Sequence, residues 1–179
     1  DGNSYNLPTK NLYDAFASTD IRRDATVLDL DAFIAKQANP ADIKYAKGAG
    51  GHTGYYNNKY IKRQTEIGLP DNDLTSPVNY TVIRYADVLL MAAEAYARKA
   101  SPDENKAKTY LNMVRKRVNL SDVTSAGQTL VSDIWSERRL ELAAKADSFE
   151  FKRLSEQAIE ASLQEFTQLM SAEAENMPD

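Results

Sequence analysis

Hydrophobic and polar positions divide the chain into two parts, and only the later part has a helical period. From Asn79 onward, apolar residues recur at intervals of three and four, which is typical of amphipathic helices. The first apolar stripe comprises Val88, Leu89, Ala92, Ala95 and Tyr96. Its alanines would let a neighbouring helix approach closely. The pattern therefore predicts a helix that packs along one face.

A second helix is predicted from a start signal. In Ser101-Pro102-Asp103-Glu104, Ser101 suits the cap, Pro102 the first helical position, and Glu104 completes a capping box. The apolar face of this helix comprises Ala107, Tyr110, Leu111, Val114 and Val118.

Two further helices are predicted after a polar break at residues 119–128. The third starts near Thr129 and carries Leu130, Ile134, Trp135, Leu142 and Ala143. Asp147-Ser148 divides it from a fourth, which carries Phe151, Leu154, Ala158, Leu163, Phe166 and Met170. Because the connections are short, we expect antiparallel helix pairs.

The first 80 residues contain six of the seven glycines and four of the six prolines, and they show little periodicity. The glycine-rich stretch 48–54 predicts a loop. The residues that follow it, 55–62, are rich in aromatic and β-branched side chains, which suits an extended segment. We therefore predict a mostly α fold with long irregular loops and little β structure. Residues 1–78 form a loop-rich segment with short strands and ligand-facing loops, residues 79–170 a helical region, and residues 171–179 a frayed tail.

Composition excludes several classes of function. The net charge is −4 and the pI is about 5.2, so no basic surface is expected for nucleic acid or an anionic membrane. Cysteine is absent, which removes disulfides and thiolate chemistry. No stretch approaches the roughly 20 apolar residues of a membrane-spanning helix. The sequence has no phosphate-binding glycine motif and no metal-ligand spacing, so we expect neither a cofactor nor a metal.

Three motifs follow one another in the helical region. Residues 79–95 read NYTVIRYADVLLMAAEA, residues 111–117 read LNMVRKR, and residues 134–143 read IWSERRLELA. In this order they resemble the signature of the SusD/RagB family. Upstream, residues 12–16, 20–23 and 54–60 are similar to further family segments. After residue 143 the chain departs from the family pattern, because the Glu-Gly turn is missing and Ser148 and Glu150 replace an arginine and an aspartate.

The resemblance implies a tetratricopeptide-related scaffold, of which the N-terminal half is absent from this chain. It implies a non-catalytic nutrient-binding protein on the extracellular face of the outer membrane, held by an N-terminal lipid anchor not present here. Such a protein delivers an oligosaccharide to a SusC-like TonB-dependent transporter. Two alternatives stay open: a RagB-like protein that captures peptides, and a helical protein-interaction module without its own ligand site.

The motifs contain charged residues at or beside the apolar stripes. An unpaired charge there would cost several kcal/mol, so we interpret six of them as a structural ion-pair network. They are Arg84, Asp87, Glu94, Arg115, Glu137 and Arg138. The alternative is a glycosidase that uses Glu137 and Glu141, one helical turn apart, as its acid and base.

Aromatic residues supply the candidates for ligand binding. Tyr55, Tyr56 and Tyr60 follow the glycine-rich loop, and their ring faces could stack on sugar rings, although strand packing explains them equally well. Trp135 lies at helical spacing from Leu142 in the predicted third helix, which favours core packing. His52, the single histidine, is expected to be solvated on its loop.

Overall fold

A computed structural model of the chain describes residues 7–48, 52–59 and 83–143. These residues fall into two compact units. Of the described residues, 7–48, 52–59 and Ala143 belong to the first unit, and residues 83–142 belong to the second. The predicted boundary at residues 78–79, the predicted fourth helix and the predicted tail all lie outside the described residues.

The first unit consists of short elements joined by turns. In chain order they are α1 (Lys10–Ala15), α2 (Arg22–Thr26), β1 (Val27–Asp29), α3 (Leu30–Ala35), a 3₁₀ turn (Pro40–Asp42) and β2 (Tyr55–Asn57). Side chains cap two of the helices, because Thr9 accepts a hydrogen bond from the Leu12 amide and Asp29 accepts one from the Ala32 amide.

β1 and β2 pair antiparallel, with Leu28 opposite Tyr56 and Asp29 opposite Tyr55. Gly54 precedes β2 with φ +87°, a left-handed conformation in which glycine has no steric penalty. Its carbonyl accepts a hydrogen bond from the Leu30 amide, which ties the end of the loop to the start of α3. The extended segment predicted after the glycine-rich loop is thus a short strand in the residues that the structure describes.

The second unit contains α4 (Tyr85–Arg98), α5 (Glu104–Lys116) and α6 (Gly127–Glu141). α4 runs antiparallel to α5, because Tyr96 near its end stacks on Tyr110 while Tyr85 at its start lies beside Met113. It is also antiparallel to α6, since Arg84 pairs with Glu141 and Glu94 contacts Trp135. The predicted mostly helical fold is confirmed.

The core of the second unit consists of Ala86, Leu89, Leu90, Ala93, Tyr96, Ala107, Leu111, Val114, Leu130 and Ile134. The residues from α5 and α6 belong to their predicted stripes. On α4 the predicted stripe supplies Leu89 and Tyr96, whereas Ala86, Leu90 and Ala93 lie outside it. Ala93 and Ala107 are completely buried, which fits the expectation that small residues let these helices approach closely.

Consecutive helices α5 and α6 run in the same direction. The sequence analysis did not predict this arrangement, because short connections favour antiparallel pairs. The connection retraces the length of α5 in an extended form. The Asn112 side chain accepts from the Val123 amide (2.8 Å) and donates to the Val123 carbonyl (3.3 Å), while Arg115 donates to the Ser121 carbonyl (2.8 Å). These side chains satisfy three backbone groups of the connection, a role that a strand partner would otherwise have.

The start of α5 also differs from the prediction. Asp103, not Ser101, caps the helix by accepting a hydrogen bond from the Lys106 amide at 3.0 Å. Glu104 makes no capping box in this arrangement. Its carboxylate instead accepts from the Gly127 amide at 2.8 Å and so joins the starts of α5 and α6. No helix within the described ranges is both long and apolar enough to cross a membrane.

Candidate functional site

Charged side chains line the contact between α4 and α6 at successive turns. Arg84 lies 2.8 Å from Glu141, and Asp87 lies 3.1 Å from Arg138. Positions three residues apart share one face of a helix, so the antiparallel helices meet through matched charges. Arg84, Asp87 and Arg138 belong to the predicted network, whereas Glu141 was not included in it.

Glu94 continues this contact nearer the end of α4. Its carboxylate lies 2.5 Å from Arg98 and accepts a hydrogen bond from the indole N–H of Trp135 at 3.0 Å. The Arg98 guanidinium also lies 6.0 Å from the centre of the Trp135 ring. Trp135 is therefore half-buried against charged groups, not inserted into the apolar core as the sequence predicted.

The end of α5 reaches α6 through two arginines. Arg115 lies 2.8 Å from Glu137, and Arg117 lies 2.6 Å from Glu141. Glu141 thus receives guanidinium groups from the residues flanking two helices, since Arg84 precedes α4 and Arg117 follows α5. Arg84 also donates to the Glu141 main-chain carbonyl at 2.6 Å. Sequence reasoning missed this junction because a helical pattern does not indicate which carboxylate meets which arginine.

The two carboxylates proposed in the glycosidase alternative are closed to solvent. Glu137 and Glu141 are each 1% exposed, and each is held by at least one arginine. An acid–base pair must lie within hydrogen-bond reach of its substrate, and these oxygens face other helices instead. Their geometry favours a structural role.

A second group of side chains surrounds β2 in the first unit. Tyr55 stacks on Tyr13 with ring centres 5.0 Å apart and planes at 29°. The Arg23 guanidinium also lies 5.0 Å from the Tyr13 ring centre. Burial is the main cause that raises the pKa of Tyr13. The predicted ligand residue Tyr55 therefore already has an aromatic partner.

Tyr56 points to the other side of β2, as strand alternation requires. Its ring centre lies 5.3 Å from that of His52, which lies 5.0 Å from that of Tyr45. We name Tyr45, His52 and Tyr56 the Tyr56 cluster. The expectation that His52 is solvated is wrong, because its Nδ1 accepts a hydrogen bond from the Gly54 amide and its ring is half-buried. Tyr60, the third predicted ligand residue, lies outside the described residues.

Two charged side chains border the Tyr56 cluster. The Tyr45 hydroxyl donates to Asp31 at 2.7 Å, and Lys47 makes an ion pair with the same carboxylate. The side chains of Asp31 and Lys47 are both more than half exposed. The Tyr45 ring, the Asp31 carboxylate and the Lys47 ammonium group therefore occur together at an accessible edge of the Tyr56 cluster. Within residues 7–48, 52–59 and 83–143, no group of three metal-ligating side chains could hold an ion.

The Asp31 contacts predict a measurable titration. Hydrogen bonds from Lys47 and then Tyr45 lower the pKa of Asp31 below its ordinary value. We expect Lys47→Gln to raise this pKa towards that of an unfolded chain, as measured by carboxyl ¹³C NMR between pH 2 and 6. Because the folded pKa is lowered, Asp31 stabilises the fold above its unfolded pKa, and this contribution is lost as pH falls through the folded pKa.

Lys44→Gln is the matched control, since it removes an exposed lysine that is not an ion-pair partner of Asp31 in the described part of the chain. An Asp31 pKa that moved equally in both variants would contradict the assigned contact.

Comparison with known proteins places these features in a family. The family model described as "SusD family" matches residues 3–173. SusD-like protein P2 from Formosa agariphila is 37% identical over 92 residues, which is 46% of this chain and 17% of that protein.

Solved structures give the same result. Surface glycan-binding protein A from Bacteroides uniformis has a TM-score of 0.59 and 32% identity, covering 76% of this chain and 26% of that one. Surface glycan-binding protein A from Bacteroides thetaiotaomicron, solved with laminarihexaose, has a TM-score of 0.61 and 26% identity, covering 88% of this chain and 32% of that one. The chain thus spans at most about a third of the length of these relatives. Since the family model matches nearly all of its residues, the chain belongs to the SusD family.

Proposed function

We propose that this chain is part of a non-catalytic cell-surface protein that binds an oligosaccharide. The observation that carries the proposal is the membership of the SusD family together with a structural relative solved with laminarihexaose. The buried position of Glu137 and Glu141 supports the absence of hydrolysis, because neither carboxylate is open to a substrate.

The Tyr56 cluster is the part of the described chain best suited to contact the glycan. Sugar rings present C–H faces that pack on aromatic rings, and their hydroxyls form hydrogen bonds with charged side chains. Tyr45 and Tyr56 supply rings, while Asp31 and Lys47 supply an acceptor and a donor at an exposed edge. The pair of Tyr55 and Tyr13 is a weaker candidate, since Arg23 and Tyr55 both contact the Tyr13 ring.

Calorimetry with laminarihexaose and a panel of other oligosaccharides tests this proposal. We expect Tyr56→Ala to weaken binding of the preferred glycan by at least about tenfold, which is typical of removing a central aromatic contact. Tyr85→Ala is the matched control, because Tyr85 is an exposed tyrosine of the helical unit and should leave the affinity unchanged. Circular dichroism of each variant checks that the fold is intact.

Two results would contradict the proposal. If no glycan bound and a peptide mixture bound instead, with an affinity that Tyr56→Ala weakened, the chain would belong to a RagB-like peptide-capture protein. If Tyr55→Ala abolished glycan binding and Tyr56→Ala did not, the contact would lie on the opposite side of β2.

Delivery to a transporter completes the proposed function. We infer that the bound glycan passes to a SusC-like TonB-dependent transporter at the extracellular face of the outer membrane, where a lipid anchor outside these 179 residues would hold the protein. Affinity purification of the tagged full-length protein from solubilised outer membranes tests this step. We expect a large transporter to be recovered with it, and recovery of the protein alone would contradict the inferred partner.

A further inference from the structure

A pocket of about 270 Å³ opens where α4 begins and α5 ends. We name it the α4–α5 pocket. The residues that matter for its chemistry are Arg84, Tyr85, Leu89, Met113, Val114 and Arg117. Small-molecule sites usually enclose roughly 300–1,000 Å³, so this pocket has room for only one or two residues of a ligand.

The floor and the rim of the pocket differ. Leu89 and Val114 form a buried aliphatic floor that offers no side-chain hydrogen bond. Sugar hydroxyls placed there would lose their bonds to water without replacement, which is costly. At the rim, Tyr85 is 60% exposed and Met113 is 44% exposed. Tyrosine and methionine are both enriched at protein interfaces.

The charges beside the pocket are unbalanced. Arg84 and Arg117 both pair with the single carboxylate of Glu141, so these three side chains carry a net charge of +1. The Arg117 side chain is 53% exposed, and Glu141 is the one acceptor it has among the described residues, although a guanidinium has five N–H donors. The Nε of Arg84 likewise has no acceptor within that part of the chain.

We propose that the α4–α5 pocket binds a peptide segment in which an apolar side chain is followed directly by a carboxylate. The apolar side chain packs on Leu89 and Val114, and the carboxylate accepts hydrogen bonds from Arg117 at the rim. A planar guanidinium suits a carboxylate because it can donate two parallel hydrogen bonds. The pocket and the Tyr56 cluster have no residue in common, so the proposal does not depend on glycan binding.

Methyl NMR of the 179-residue chain tests the proposal, because the chain has four methionines and Met113 lies in the pocket. The probe is acetyl-Gly-Leu-Glu-Gly-amide, and the control probe is acetyl-Gly-Ala-Gln-Gly-amide. We expect the Met113 methyl signal to shift saturably with the first peptide and not with the second. Loss of a charge-assisted hydrogen bond in Arg117→Gln should weaken binding by about tenfold.

Lys116→Gln is the matched control, since it removes the same charge one residue away from the pocket and should leave the affinity unchanged. Tyr85→Ala is a second variant that breaks no ion pair, and we expect it to weaken binding at least about fivefold. An unshifted Met113 methyl, equal binding of both peptides, or equal losses in Lys116→Gln and Arg117→Gln would each overturn the proposal.

Discussion

Replacing Glu141 with alanine is expected to lower the free energy of unfolding by about 3 kcal/mol. The carboxylate is 1% exposed and joins Arg84 before α4 to Arg117 after α5. Removing it leaves the largely buried Arg84 guanidinium without its carboxylate partner. We place the loss at the lower end of the usual range of about 3–5 kcal/mol because Arg117 is half-exposed and can be solvated.

Urea unfolding followed by circular dichroism measures this loss. Asp122→Ala is the control, because Asp122 also pairs with a basic residue, Lys116, but both side chains are exposed and their atoms are 3.6 Å apart. Its removal should cost less than about 1 kcal/mol. Similar losses in the two variants would show that the buried junction contributes no more than a surface ion pair.

Replacing Leu111 with alanine is expected to cost about 2–5 kcal/mol of unfolding free energy. Leu111 is 0% exposed and belongs to the core shared by α4, α5 and α6. The substitution removes apolar area from the core and leaves a cavity, and both effects destabilise the folded state.

Met113→Ala provides the comparison on the same helix. Met113 lies at the rim of the α4–α5 pocket and is 44% exposed, so its loss should cost less than about 1 kcal/mol. Both values come from the same urea titration. If Met113→Ala destabilised the chain as much as Leu111→Ala, the assignment of the core to the Leu111 face of α5 would be wrong.

Helical periodicity predicted α4, α5 and α6 because each buries one stripe of apolar residues. It did not predict that α5 and α6 run in the same direction. That relation depends on the path of the connection along α5, where the side chains of Asn112 and Arg115 form hydrogen bonds with the backbone of Val123 and Ser121. The periodicity of the two helices contains no information about such tertiary contacts.

The charged residues show a similar limit to what can be predicted from the sequence. Their positions beside apolar stripes indicated that they need partners, since an isolated buried charge is costly. The partner of Arg84, however, follows from the end of α6 lying at the start of α4. The partner of Tyr55 is likewise Tyr13, which lies far from it in the sequence and meets it only in the folded unit.

The ion pair between Arg84 and Glu141 has a mechanical consequence for the helical unit. The three described helices of this unit begin at Tyr85 and end at Glu141, and the 2.8 Å contact holds these two ends side by side. Tension applied to these two ends would therefore load that contact first and separate the helices from one end. The turn after α4 and the start of α5, at the far end, would bear almost none of the force.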